Sequence, residues 1–186
     1  IMALTPSNPF KNGTTAPDFS LFDTVSEKIL SLKDLKGDRG TVIFFICNHC
    51  PFVIHVNKQL VHLAHDYSKN QISFIAISSN DAATYPMDGP EKMKEHVLKE
   101  QYPFPYLYDE TQQVAKAYNA ACTPDFYVFD KDLRAIYHGQ FDDSRPNNGI
   151  EVTGKDIREV LEALLENKTY KGSQKPSIGC NIKWKE

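Results

Sequence analysis

Cysteine is scarce in this chain: four residues in 186, at positions 47, 50, 122 and 180. They are too few and too unevenly spread for the disulfide framework of a small secreted domain, which leaves catalysis or metal binding as their use. Long apolar runs are missing too. None approaches the roughly 18 residues of a spanning helix, and residues 1–13 are polar and broken by proline, with no signal-peptide h-region. A cytoplasmic protein with no membrane partner is expected. Positive charge is not in excess, with 21 Lys and Arg against 24 Asp and Glu and a net charge of -3, so no electrostatic footprint for nucleic acid exists. Repeats and low-complexity tracts are absent, and a composition 41% hydrophobic and 24% charged excludes disorder. The length predicts one domain over residues 1–186, with irregular stretches at about 1–15 and about 167–186.

What is present organises the middle of the chain. Asp18 to Phe22 alternates like a strand, and Leu30 to Leu35 forms a helical turn closed by Gly37 and Gly40. Thr41 to Ile46 (TVIFFI) is a continuous β-branched and aromatic run, the pattern of a strand covered on both faces. Pro51 to Lys69 carries Val53, Val56, Leu60, Leu63, Ala64 and Tyr67 at helical spacing, with a left-handed stop at Lys69-Asn70. Ile72 to Ser78 (ISFIAIS) is a second buried strand, which makes a βαβ unit with parallel strands and a right-handed crossover. Helices follow at Glu91 to Glu100 and Thr111 to Asn119, with a short strand Tyr106 to Tyr108 between them. A hairpin of Asp125 to Phe129 and Leu133 to His138 and a last helix, Ile157 to Leu165, complete the order. That order predicts an α/β protein of the thioredoxin-like fold, a central mixed sheet flanked by helices, with an N-terminal extension and a C-terminal tail.

The chemistry is concentrated in Cys47-Asn48-His49-Cys50, at the carboxyl end of the central strand and the start of the following helix. There the unpaired N–H groups and positive dipole end of the helix favour a thiolate. A two-residue spacer lets the two sulfurs meet, so that one attacks a disulfide and the other resolves the mixed disulfide. His49, if protonated, would stabilise a neighbouring thiolate and act as a tuning group.

The chain resembles the peroxiredoxin-like branch of the thioredoxin superfamily, within the alkyl hydroperoxide reductase and thiol-specific antioxidant family. The resemblance runs from Ala16-Pro17-Asp18-Phe19 through Phe44 to Val53 and Pro105-Tyr106-Leu107-Tyr108-Asp109 to Thr123-Pro124-Asp125-Phe126. It implies a redox-active centre and an antioxidant activity. Peroxiredoxins place Thr three residues before the peroxidatic cysteine. Cys50-Pro51 fits the cysteine slot, but Cys47 stands where the Thr should be. The Arg expected shortly before the strand Tyr127-Val128-Phe129-Asp130 is replaced by Thr123-Pro124. That pair instead resembles the cis-proline of thioredoxins, preceded by Thr or Ile and facing the cysteine pair, which implies that Thr123 and Pro124 bind substrate backbone in strand-like fashion.

Of the other candidates, Cys122, just before the Thr123-Pro124 turn, is placed to approach the active cysteines but reads first as a small buried hydrophobe, and Cys180 reads equally as a distant resolving thiol or an inert residue. Tyr85 and Met87 lie in a loop that flanks Cys47, because parallel strands bring their carboxyl ends to one edge; they are candidate walls of a substrate groove. The expected function is a thiol-disulfide oxidoreductase exchanging disulfides with a protein or small molecule and recharged by an electron donor. The alternatives are a thiol peroxidase with Cys50 peroxidatic and Cys47 resolving, and a Cu or Zn binder. No second C-x-x-C or paired His completes a four-ligand set, so no metal and no cofactor is expected.

Overall fold

The structure is a computed structural model and describes residues 4–186. At its centre lies β4 (Gly40–Phe45), whose six residues are all buried. It pairs in parallel with β5 (Ile72–Ser78) from Gly40↔Ile72 to Phe45↔Ile77, and antiparallel with β8 (Asp125–Asp130) from Gly40↔Asp130 to Phe45↔Asp125. The two-residue period of a strand explains why the run is apolar throughout. Val42 and Phe44 face a core that includes Val53, Leu60, Ile157 and Leu161. Ile43 and Phe45 face the opposite core, with Phe19, Leu32, Tyr118 and Tyr127.

α2 (Pro51–Tyr67) starts with Pro at its first turn, where the missing N–H costs nothing. Its buried stripe Val53, Val56, Leu60, Leu63, Ala64 and Tyr67 packs on the sheet, each large apolar side chain contributing about 1.5–3 kcal/mol by burial. A 3-10 turn over Ser68–Asn70 ends the helix, and the left-handed residue is Gln71 (φ 61°), one position beyond the expected stop.

β2 (Ser20–Asp23) pairs with β3 (Ile29–Ser31) and β6 (Tyr106–Tyr108). The stretch expected to form a single helical turn is thus split between β3 and the short α1 (Leu32–Leu35), which Ser31 caps through a reciprocal bond with Asp34. α3 (Pro90–Glu100) and α4 (Gln113–Ala117) follow, α4 shorter than its sequence pattern because Gln112 and Asn119 take left-handed conformations on either side of it. In the hairpin of β8 and β9 (Ala135–Gly139), Leu133 belongs to the turn (φ 59°), not to the strand. The Asp130 carboxylate accepts the N–H groups of Asp132 and Arg134 there and fixes the turn. α5 (Lys155–Leu165) packs Ile157, Val160 and Leu161 into the same core as the α2 stripe. The seven-stranded order is β3-β2-β6-β5-β4-β8-β9, the thioredoxin-like architecture.

The ends of the chain depart from the irregular stretches expected at about 1–15 and 167–186. β1 (Leu4–Pro6), β10 (Ile178–Asn181) and β7 (Cys122–Thr123) form a separate three-stranded sheet in the order β1-β10-β7. The C-terminal strand lies antiparallel to both neighbours, with Leu4↔Cys180 on one side and Cys180↔Thr123 on the other. Residues 1–3 fall outside the described residues. Among the described residues no helix is long and apolar enough to cross a membrane.

Candidate active site

The N–H of Ile46 still bonds to Ile77 at 3.0 Å, so β4 delivers Cys47 directly past its carboxyl end. Asn48 and His49 turn the chain, and Cys50 takes the N-cap position of α2, its carbonyl accepting the Ile54 N–H at 3.0 Å. Cys47 is 2% exposed and Cys50 is fully buried. The peptide bond Thr123–Pro124 is cis, and Thr123 meets both sulfurs: its hydroxyl lies 3.6 Å from Cys47 Sγ and its carbonyl 3.3 Å from Cys50 Sγ. The other cysteines stand apart in kind. Cys180 Sγ lies 2.7 Å from Cys50 Sγ, whereas Cys122 makes only a 4.0 Å contact to the Pro124 carbonyl. No disulfide joins the cysteines.

The electrostatics separate the two motif thiols. Hydrogen bonding by Cys180, then by Cys47, holds the Cys50 thiol far down, to about 2, against burial that opposes it. The Thr123 carbonyl favours the protonated form, but it is one acceptor set against several donors. Cys47 is pushed well up by its bond to Cys50, by burial and by the negative charge of Asp88. Cys180 is pushed up by the same bond to Cys50, and Cys122 by burial first. These contacts favour the thiolate form at Cys50 and the protonated form at Cys47 and Cys180.

Asp88, fully buried in the loop between β5 and α3, organises the turn. Its Oδ1 accepts the Asn48 N–H at 2.9 Å and its Oδ2 accepts Asn80 Nδ2 at 2.8 Å. His49 Nδ1 lies 2.9 Å from the same Oδ2, a close contact without hydrogen-bond alignment. The tuning expected of His49 on a thiolate is thus shared with a carboxylate. Asn48 is fixed further, donating to the Met87 carbonyl at 2.7 Å and accepting from Tyr106 OH at 3.1 Å. Tyr85 stacks on the His49 ring at 6.3 Å. Met87 contributes its carbonyl, while its side chain is exposed. Asp88, Asn80 and Tyr106 were not singled out from the sequence. The loop's position at the strand edge was the signal that could have found Asp88, the one buried acid of its 3-10 turn.

Cys47 Sγ, a ring nitrogen of His49 and an Asp88 oxygen lie within 4.8 Å of one another. They offer sulfur, nitrogen and oxygen donors of the kind Zn or Cu accepts, one short of a structural zinc set. An open cleft of about 280 Å³ beside the turn is lined by Asn48, His49, Ile54, Met87 and His96. A larger cavity, about 1170 Å³, runs along α5 between Tyr67 and Tyr170 and is lined by none of the cysteines.

Expected backbone binding by Thr123 meets a structural fact: the Cys122–Thr123 edge is already paired with β10. Gly179 makes that approach possible, because a Cβ there would lie 1.9 Å from the Thr123 carbonyl oxygen.

Among curated proteins none matches this chain. The solved structure of an uncharacterized conserved protein from Geobacillus kaustophilus is 59% identical, with a TM-score of 0.97 over 99% of this chain and 97% of that one. A hypothetical protein from Sinorhizobium meliloti 1021 is 45% identical, with a TM-score of 0.95 over 97% and 98%. Peroxidoxin BcpB from Mycobacterium tuberculosis, 18% identical, shares the fold alone, with a TM-score of 0.64 over 86% and 98%. The AhpC/TSA family profile matches residues 12–137. That span runs from before β2 through the cysteine pair to the hairpin, and the chain belongs to the AhpC/TSA family, as a redox protein of thioredoxin-like fold.

Proposed function

We propose that this protein is a thiol-disulfide oxidoreductase in which Cys50 is the nucleophile and Cys47 a resolving thiol. The observation that carries the reading is the placement of Cys50 Sγ at the start of α2, with Thr123 of the cis Thr123–Pro124 bond meeting both motif sulfurs. The thiolate attacks one sulfur of a substrate disulfide, a Cys50–substrate bond forms and the other substrate sulfur leaves as thiolate. Cys47 then gives up its proton and attacks Cys50, releasing the second substrate thiol and leaving a Cys47–Cys50 disulfide for a dithiol donor to reduce. Asp88 and His49 lie beside the Cys47 sulfur and are the groups through which that proton leaves.

Peroxide reduction is the weaker reading. Cys47 takes the slot of the peroxidase Thr and Thr123-Pro124 that of the Arg, and the nearby Arg145 guanidinium is committed to the Asp142 and Ser144 carbonyls and to Gln140. The test is reduction of insulin or glutathione disulfide, followed as substrate thiol released. Wild type is expected to turn over and Cys50→Ser to be inactive, while Cys47→Ser still attacks. Full activity in Cys50→Ser would overturn the assignment.

A further inference from the structure

Cys180 does not behave as a buried hydrophobe in an idle tail. Its sulfur lies 2.7 Å from Cys50 Sγ, across 130 residues of sequence, against about 2.05 Å for a covalent S–S bond. Its backbone is held from both sides, paired with Leu4 of β1 and with Thr123 of β7. β10 therefore occupies the edge next to cis-Pro124 where a substrate strand is expected to add, and it carries a sulfur into contact with the nucleophile. Cys122 is the internal control: equally buried, yet contacting only the Pro124 carbonyl at 4.0 Å.

We propose that Cys180 is a third redox-active thiol, which resolves mixed disulfides at Cys50 by forming a Cys50–Cys180 disulfide. The proposal rests on the exchange activity above and adds a second route to it. With glutathione disulfide as oxidant, the Cys50 thiolate forms a bond to one glutathione sulfur and the other leaves as thiolate. Cys180, its proton transferred to that departing thiolate, attacks the Cys50 sulfur; the Cys50–Cys180 bond forms and the second glutathione leaves. Two electrons pass from the two cysteines to one glutathione disulfide; the Cys180 proton ends on the first glutathione, and the second leaves as a thiolate that takes its proton from water. A dithiol donor returns the electrons. Contact placement replaces a bimolecular encounter with an intramolecular one, and this favours Cys180 over any thiol from solution.

The test uses Cys47→Ser, which leaves β10 untouched. The variant is oxidised with glutathione disulfide, quenched in acid, alkylated, digested and mapped by mass spectrometry. A linked Cys50–Cys180 peptide is expected. The glutathione adduct on Cys50 should last on the order of 100-fold longer once Cys180→Ser is added, and Cys122→Ser should change nothing. A lasting adduct on Cys50 in Cys47→Ser, with Cys180 alkylated, would overturn the proposal. Oxidation of Cys47→Ser with diamide provides an arm independent of catalysis. A Cys50–Cys180 link there, in a protein that exchanges nothing with glutathione disulfide, would strike the proposed function and leave the thiol pairing standing. No link in either arm would sink the pairing itself.

Discussion

Asp88 accepts the backbone N–H of Asn48 at 2.9 Å, so a buried acid 40 residues downstream in sequence fixes the turn between the two motif cysteines. The same carboxylate lies against His49 and raises the Cys47 thiol. Asp88→Asn removes that charge and turns one acceptor into a donor facing Asn80 or the Asn48 N–H. Loss of a buried, charge-bearing acceptor should cost about 1–3 kcal/mol of stability. The Cys47 thiol should also titrate at lower pH, visible as an earlier alkaline rise in its alkylation rate. An unchanged alkylation profile would remove Asp88 from the site's electrostatics.

Thiolate absorbance near the ultraviolet edge should show one thiolate per chain already at about pH 5, far below the free-thiol range of about 8.5. Cys47→Ser should retain that signal and Cys50→Ser should lose it. Because Cys180 is the first cause of the lowering, Cys180→Ser should move the Cys50 titration upward. The signal persisting in Cys50→Ser would transfer the nucleophile to another cysteine.

The same shift makes stability depend on pH. Cys50 is an acid lowered on folding, so between its native value and the ordinary thiol range the unfolded chain binds more protons than the native one and stability rises with pH. The contribution is complete above about pH 9 and is lost as pH falls through the native value. Cys47 and Cys180 are raised; their native forms hold protons longer, and above the ordinary thiol range they make stability fall. Under reducing conditions, denaturation of wild type against Cys50→Ser should diverge with pH by at most about 1.4 kcal/mol per unit over the lower window. Parallel curves would contradict the assignment.

The βαβ unit and the motif were legible because their signals are local. An unbroken apolar strand, a helical stripe from Val53 to Tyr67 and a cysteine at the helix start each declare themselves within a few residues. The placement of Thr123 beside both sulfurs followed from the resemblance. What was not legible depends on distant partners. β1 and β10 are three and four residues long; β1 exists because β10 supplies its hydrogen bonds, and β10 because β1 and β7 supply its own. Cys180 read as neutral for the same reason, since nothing near it in sequence points at Cys50. Asp88 was hidden in a polar loop, where only the folded edge of the sheet brings it to Asn48 and His49.

Gly179 tests that long-range closure. Its missing Cβ lets β10 lie against the Thr123 carbonyl, and Gly179→Ala must push the strand away. Overpacking of this kind should cost about 1–3 kcal/mol, a fall in melting temperature of about 2–4 °C for each kcal/mol in a chain of this size. The Cys50–Cys180 peptide should become scarce in oxidised protein, while the Cys47–Cys50 disulfide still forms. Normal stability together with a normal yield of the Cys50–Cys180 peptide would show that the close approach is not needed.

Hydrogen peroxide separates the two family chemistries. To reduce it, the Cys50 thiolate must attack one peroxide oxygen, becoming a sulfenic acid, while the other oxygen leaves with developing negative charge that needs oriented donors. The family resemblance places Thr and Arg there; this chain has Cys47 and Thr123-Pro124. Each donor of this kind is commonly worth about 100- to 1,000-fold in rate, so the peroxide rate should lie at least about 100-fold below that of a peroxidase with both. Disulfide exchange releases a thiolate, which the helix start and neighbouring thiols already accommodate, and should be unaffected. Cys47→Thr restores one slot and should speed peroxide consumption in single turnover, while the Arg slot stays unfilled and the full rate is not recovered. Stopped-flow measurement of both reactions on one preparation checks this. Peroxide reduction as fast as in true peroxidases, with no disulfide reduction, would reverse the ranking of the two activities.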